Sequence, residues 1–115
     1  MTREEFVAIV MDFPGVEEGL SWGQPSFKLR GTFFTRWREE DDSALLMGVS
    51  FDERELLLEA EPETFFLTPH HQKFPVVLAR LATLDPDQLR AFLERRWRKL
   101  ATKAMAKARD AVRPE

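Results

Sequence analysis

The 115-residue sequence contains no cysteine and no tyrosine, and it has two histidines and five isolated glycines. Without cysteine the chain has no disulfides, no thiolate nucleophile and no cysteine-ligated metal. The isolated glycines form no Gly-rich phosphate-binding loop, and no serine lies in a Gly-x-Ser-x-Gly motif. These absences remove the residue patterns that would indicate a reaction class, so we expect a non-catalytic protein.

The sequence also lacks long hydrophobic runs, because no apolar stretch approaches the roughly 20 residues that a membrane-spanning helix needs. Its first residues, 1–5, include two acids where a signal peptide would need an apolar segment. We therefore expect a cytoplasmic protein without membrane contact. The hydrophobic content of 43%, with ten phenylalanines, is sufficient for one folded domain over residues 1–115.

His70 and His71 are adjacent and lie between Pro69 and Pro75. Adjacent side chains on an extended chain point in opposite directions, and no other residue at metal-ligand spacing accompanies them. We therefore predict no metal site and no cofactor. The simplest interpretation is a rigid loop in which one histidine hydrogen-bonds internally, and a loop that binds a small anion is the alternative.

Capping and alternation patterns predict helices at both ends of the chain. Thr2 and Glu5 fit a capping box, and Asp85 followed by a proline predicts a last helix that reaches about Ala108 with a break near Thr102. Residues 17–24 are predicted to form a loop, and Asp52 is predicted to cap a middle helix. Strands are predicted over residues 26–30, 33–38, 44–50, 64–68 and 76–81. Adjacent strands framed by N- and C-terminal helices indicate an α+β fold with an antiparallel sheet.

The charge distribution is uneven although the net charge is only −3. Residues 1–84 carry 8 basic and 15 acidic side chains, whereas residues 85–115 carry 9 basic and 5 acidic ones. A negative net charge alone argues against a nucleic-acid partner. A nucleic-acid-binding surface would therefore depend on where the cations of the first strands lie in the fold.

The segment 26–30 alternates, which predicts that Lys28 and Arg30 face solvent. If Arg36 and Arg38 share that side, they form a cationic patch between two indoles, which could contact phosphates and stack on bases. The candidate nucleic-acid-binding residues are Trp22, Lys28, Arg30, Arg36, Trp37 and Arg38. The alternative is that these cations only oppose the acidic turn at 39–42, in pairs contributing well under ~1 kcal/mol each.

A second hypothesis places a small anion or a protein partner in a pocket. It requires the two most distinctive segments of the sequence to converge in the fold. The candidate pocket residues are Trp22, Pro25, Lys28, His70 and His71.

The sequence resembles the MmcQ/YjbR family of small bacterial proteins. The residues that carry the resemblance are 13–18 (Phe-Pro-Gly-Val-Glu-Glu), 22–28 (Trp-Gly-Gln-Pro-Ser-Phe-Lys), Gly31, 33–34, 56–58, 66–71 (Phe-Leu-Thr-Pro-His-His), 75–78, Leu93 and Trp97. The resemblance implies a CyaY-like fold with helices on one side of an antiparallel sheet. It also implies DNA binding through hairpin loops that act as wings.

Two features of the chain bear on what the resemblance implies. The four acids at 39–42 lie in the presumed wing, where they would repel phosphate. The CyaY-like fold that the resemblance implies is also frataxin-like, which suggests an iron-binding protein. This hypothesis rests on fold analogy alone.

Overall fold

The computed structural model describes residues 1–112, which form one six-stranded antiparallel sheet and four α-helices. The helices are α1 (Arg3–Met11), α2 (Phe51–Ala60), α3 (Pro86–Leu100) and α4 (Lys103–Val112). The strands are β1 (Val16–Ser21), β2 (Gln24–Leu29), β3 (Thr32–Arg38), β4 (Ser43–Met47), β5 (Phe65–Phe66) and β6 (Val76–Arg80), in the order β1-β2-β3-β4-β6-β5. The predicted α+β fold is confirmed, and its CyaY-like character stays a prediction.

The helix boundaries follow from side-chain caps. Thr2 and Glu5 form the predicted capping box, and the Asp85 side chain accepts a hydrogen bond from the first turn of α3. The predicted break is confirmed, since α3 ends before Thr102, whose hydroxyl accepts a bond from the first turn of α4. The predicted Asp52 cap is wrong, because the cap of α2 is Ser50.

The sequence predicted a loop over residues 17–24, but these residues form most of β1 together with a tight turn. The prediction failed because β1 is an edge strand, and Val16 alone among its residues is fully buried. Such a strand has no apolar alternation that a pattern search could find.

The main core lies between the sheet and the helices and includes the buried rings of Phe6, Phe34, Phe65 and Trp97. The Trp97 indole nitrogen donates to the Pro14 carbonyl oxygen at 2.8 Å, which fastens α3 to the segment before β1. None of the helices within residues 1–112 has the length and apolar character needed to cross a bilayer.

The sheet face turned away from α1 and α3, which we call the outer face, carries a second cluster formed by Leu45, Val76 and Leu78. Residues 67–75 connect β5 to β6 and bring His71 within 3.5 Å of Arg38 on β3. Because β4 and β6 lie between β5 and β3, this connection must cross the outer face. It therefore covers one half of the outer face, and the half formed by β1, β2 and β3 remains open.

Candidate nucleic-acid interface

The register between β2 and β3 shifts at one point. Phe27 of β2 faces Thr35, whereas the next β2 residue faces Phe33, so Phe34 is an extra residue on β3. A β-bulge of this kind bends the strand and changes which side chains reach each face. The guanidinium of Arg96 in α3 donates to the Phe33 carbonyl oxygen at 2.7 Å, so this carbonyl has a hydrogen-bond donor at the point where the strand pairing is disrupted.

Beyond the bulge, Arg36 and Trp37 lie on opposite faces. Arg36 pairs with Leu45 of the outer-face cluster, whereas Trp37 packs against the main core. Lys28 pairs with Phe33, which also packs against the outer-face cluster. Lys28 and Arg36 therefore share the outer face, which is the condition that the cationic patch required.

Arg38 lies on the same face but is almost fully buried, with 8% exposure. Its guanidinium is 3.2 Å from the Asp41 carboxylate and 3.7 Å from that of Glu40, and Arg36 reaches Glu40 at 3.9 Å. A hydrogen bond from the backbone amide of Glu40 to its own carboxylate holds the pKa of Glu40 below its usual value, and the positive charges of Arg38 and Arg36 add to this effect. The acidic turn therefore neutralises part of the predicted cationic patch.

Trp22 is the most exposed large apolar residue in the described chain, at 91%. With Gly23 it forms the two-residue turn between the paired Ser21 and Gln24, with φ of 50° and 75°. Two positive φ values in such a loop define a type I′ turn. The indole centroid is 6.3 Å from that of Phe33 at an interplanar angle of 46°, which places the ring on the outer-face side.

The area between Trp22 and Lys28 is formed by small side chains. The Ser21 and Ser26 hydroxyls are 2.9 Å apart, and the Lys28 stem lies beside Gly19, where an added Cβ would be 3.4 Å from Cδ. A lysine placed in this way keeps its stem on the sheet and its ammonium towards water.

Two predicted site residues are not on this surface. The sequence predicted that Arg30 lies on a strand, but it lies in the turn between β2 and β3, with φ of 53°. Its guanidinium donates to the Leu100 carbonyl oxygen at 3.3 Å. Trp37 is on the helix side, where its indole nitrogen donates to Asp42 at 2.7 Å and the Arg3 guanidinium lies 4.9 Å from its ring.

The predicted pocket residues are divided between the two faces of the sheet. Pro25 lines a cleft of about 430 Å³ on the helix side, together with Trp37. The His71 ring lies near Arg38 on the outer face and is 2.6 Å from the Thr68 hydroxyl, with His70 stacked edgewise against it. Burial, followed by the charge of Arg38, lowers the pKa of His71, which favours its neutral form.

The sequence patterns did not identify Phe33, Ser21 or Ser26 as part of the outer face. Phe33 is followed directly by the buried Phe34, and alternation alone cannot decide which of the two faces the core. Within residues 1–112 there is no group of three histidine, aspartate or glutamate side chains arranged to hold a metal ion.

Comparisons with known proteins place the chain among uncharacterised relatives. The family model YjbR matches residues 11–99, a range that ends before α4. The chain is 30% identical over 92 residues to the uncharacterized proteins Mb2600 of Mycobacterium bovis and Rv2570 of Mycobacterium tuberculosis. Each alignment covers 77% of this chain and 71% of the relative. No solved structure matches.

Proposed function

This chain belongs to the YjbR family, and we propose that it is a non-catalytic module that binds nucleic acid through the outer face of β1, β2 and β3. The observation that carries the proposal is the exposed Trp22 indole, which lies against Phe33 on the face that also presents Lys28 and Arg36. Aromatic rings and cations on one sheet face are the combination that accepts bases and phosphates together.

The composition of the surface fits this partner better than it fits an apolar one. Lys28 supplies positive charge, although Glu17 pairs with it across β1, and Arg36 adds to this charge from beside Glu40. The half-buried Ser21 hydroxyl, which contacts the buried Ser26, supplies a polar group between the ring and the lysine. Phosphates are commonly contacted by lysine, arginine and serine side chains, which position the nucleic acid without reading its sequence. We therefore expect binding with little sequence preference.

Fluorescence anisotropy of labelled oligonucleotides over a range of salt concentrations tests the proposal. The double variant Lys28→Ala/Arg36→Ala should bind more weakly and should flatten the dependence of log affinity on log salt by about 0.7 to 0.9 for each phosphate that the variant no longer neutralises. The matched control is Arg90→Ala/Arg95→Ala on α3, which removes the same charge from exposed positions away from the outer face. The proposal fails if the wild-type protein does not bind at low salt, or if the two double variants behave alike.

A further inference from the structure

We infer that the nucleic acid bound by this surface is single-stranded and that one of its bases stacks on Trp22. The inference rests on the proposed function and deepens it by naming the ligand class. Three features of the structure carry it: the backbone of the Trp22 turn, the dimensions of the open outer face, and the position of the acidic turn.

The Trp22 turn breaks a local rule for little structural benefit beyond the contact with Phe33. A type I′ turn prefers asparagine and glycine, because a left-handed φ costs an ordinary L-residue roughly 1–2 kcal/mol. Trp22 adopts φ of 50° and leaves its ring 91% exposed, so the indole gains little burial in return. Arg30 has the same backbone conformation in an exposed turn, so it is the large exposed ring at this position, and not the φ value alone, that is typical of a binding site.

The open half of the outer face is narrow. It spans the three strands β1, β2 and β3, which cover roughly 10 Å between the outermost two. Residues 67–75 occupy the rest of the face and bring His71 to Arg38. A single strand with its bases turned towards the sheet fits a platform of this width, whereas the paired bases of a duplex would have to be unstacked before one of them could stack on an indole.

The acidic turn also disfavours a duplex. Strands β1 and β3 run in the same direction, so the Trp22 turn and the turn at 39–42 leave the sheet at the same end. A duplex placed on Trp22 would bring its second phosphate backbone towards these carboxylates, which oppose counterion release. A single strand carries one phosphate backbone, which can lie near Lys28, at the end of β2 away from the turn at 39–42.

The test compares a fluorescein-labelled strand of about 12 nucleotides of mixed sequence, alone and annealed to its complement, in about 50 mM NaCl. We expect tighter binding of the single strand. Trp22→Asn should weaken single-strand binding by about 5- to 150-fold, the range that corresponds to removal of one base stack. The same substitution should raise the urea midpoint of the protein, since asparagine suits the turn, so weaker binding would not be due to unfolding.

Arg30→Asn is the matched control, because Arg30 occupies the same position of the second type I′ turn, with φ of 53°, at the other end of the sheet. Asparagine suits this turn in the same way, although the substitution also removes the bond to the Leu100 carbonyl, and it should leave single-strand affinity within about twofold because Arg30 is not on the outer face. Trp22→Phe should retain most of the binding. Equal or tighter binding of the duplex, or a Trp22→Asn variant that binds the single strand normally, overturns the inference and leaves the proposed function intact. Absence of binding to both forms overturns the proposed function itself.

Discussion

Replacing Arg54 should destabilise this protein more than replacing any exposed arginine. Arg54 lies on α2 with 6% exposure, and its guanidinium donates to backbone carbonyl oxygens of the connection between β5 and β6 and of the first residue of β6. The distances are 2.7 Å to Phe74, 2.9 Å to Gln72, 3.2 Å to Val76 and 3.5 Å to His71. One side chain therefore holds the segment that occupies half of the outer face.

The magnitude follows from the bonds that Arg54→Met would remove. Hydrogen bonds to charged groups contribute about 1.5–3 kcal/mol each, so the two shortest alone correspond to roughly 3–6 kcal/mol. Part of that loss is offset, because methionine does not carry the desolvation cost of a buried charge. We expect a net loss of about 3–4 kcal/mol, a large share of the roughly 5–15 kcal/mol that stabilises an ordinary domain.

Urea denaturation followed by far-UV circular dichroism measures this loss, with urea chosen because guanidinium could occupy the vacated carbonyls. Arg95→Met is the matched control, since Arg95 is half exposed and forms a single bidentate pair with Glu53, worth less than about 1 kcal/mol. Hydrogen exchange should accelerate at the amides of His71 and Phe74, which are bonded within the connection. A loss below about 1 kcal/mol for Arg54→Met, or one no larger than that of Arg95→Met, would refute the reasoning.

Three further predictions concern the helices. Trp97→Phe should cost about 1–3 kcal/mol in urea denaturation, because it leaves the Pro14 carbonyl without its donor. Asp85→Ala should lower stability by about 1 kcal/mol by removing the α3 cap, with the midpoint shift as the readout. Hydrogen bonds from Arg109 lower the pKa of Glu94. The ionised Glu94 carboxylate therefore stabilises the fold at pH values above its usual pKa of 4.5, and this stabilisation disappears as the pH falls through the lowered pKa. Glu94→Gln should therefore flatten the acid limb of a plot of stability against pH, and an unchanged acid limb would contradict this assignment.

The sequence was sufficient for most of the elements, because most of them are specified by short-range chemistry. The caps at Thr2 and Asp85 and the change in the chain near Thr102 depend on residues within one helical turn. The edge strand β1 has no such signal, since its pairing with β2 comes from backbone bonds and a glycine turn. Arg30 was misplaced for the same reason, because Arg30 and Gly31 form a turn that alternation cannot distinguish from the end of a strand.

The candidate surface depends on a feature that no local pattern contains. In an unbroken strand Phe34, Arg36 and Arg38 would share one face, so burying Phe34 would carry both arginines into the core. The extra residue of the bulge shifts the alternation by one, which sends the arginines to the outer face and Trp37 to the helices.

The partner of the bulge is Arg96, which reaches the Phe33 carbonyl from α3, far along the chain. A β-bulge leaves backbone groups without their ladder partners, and a buried carbonyl without a donor is costly. The guanidinium of Arg96 meets that need and at the same time favours the shifted register over the regular one. The direction in which the cations of β3 point is therefore determined partly by a helix on the opposite side of the sheet, and it could be known only after the two were packed together.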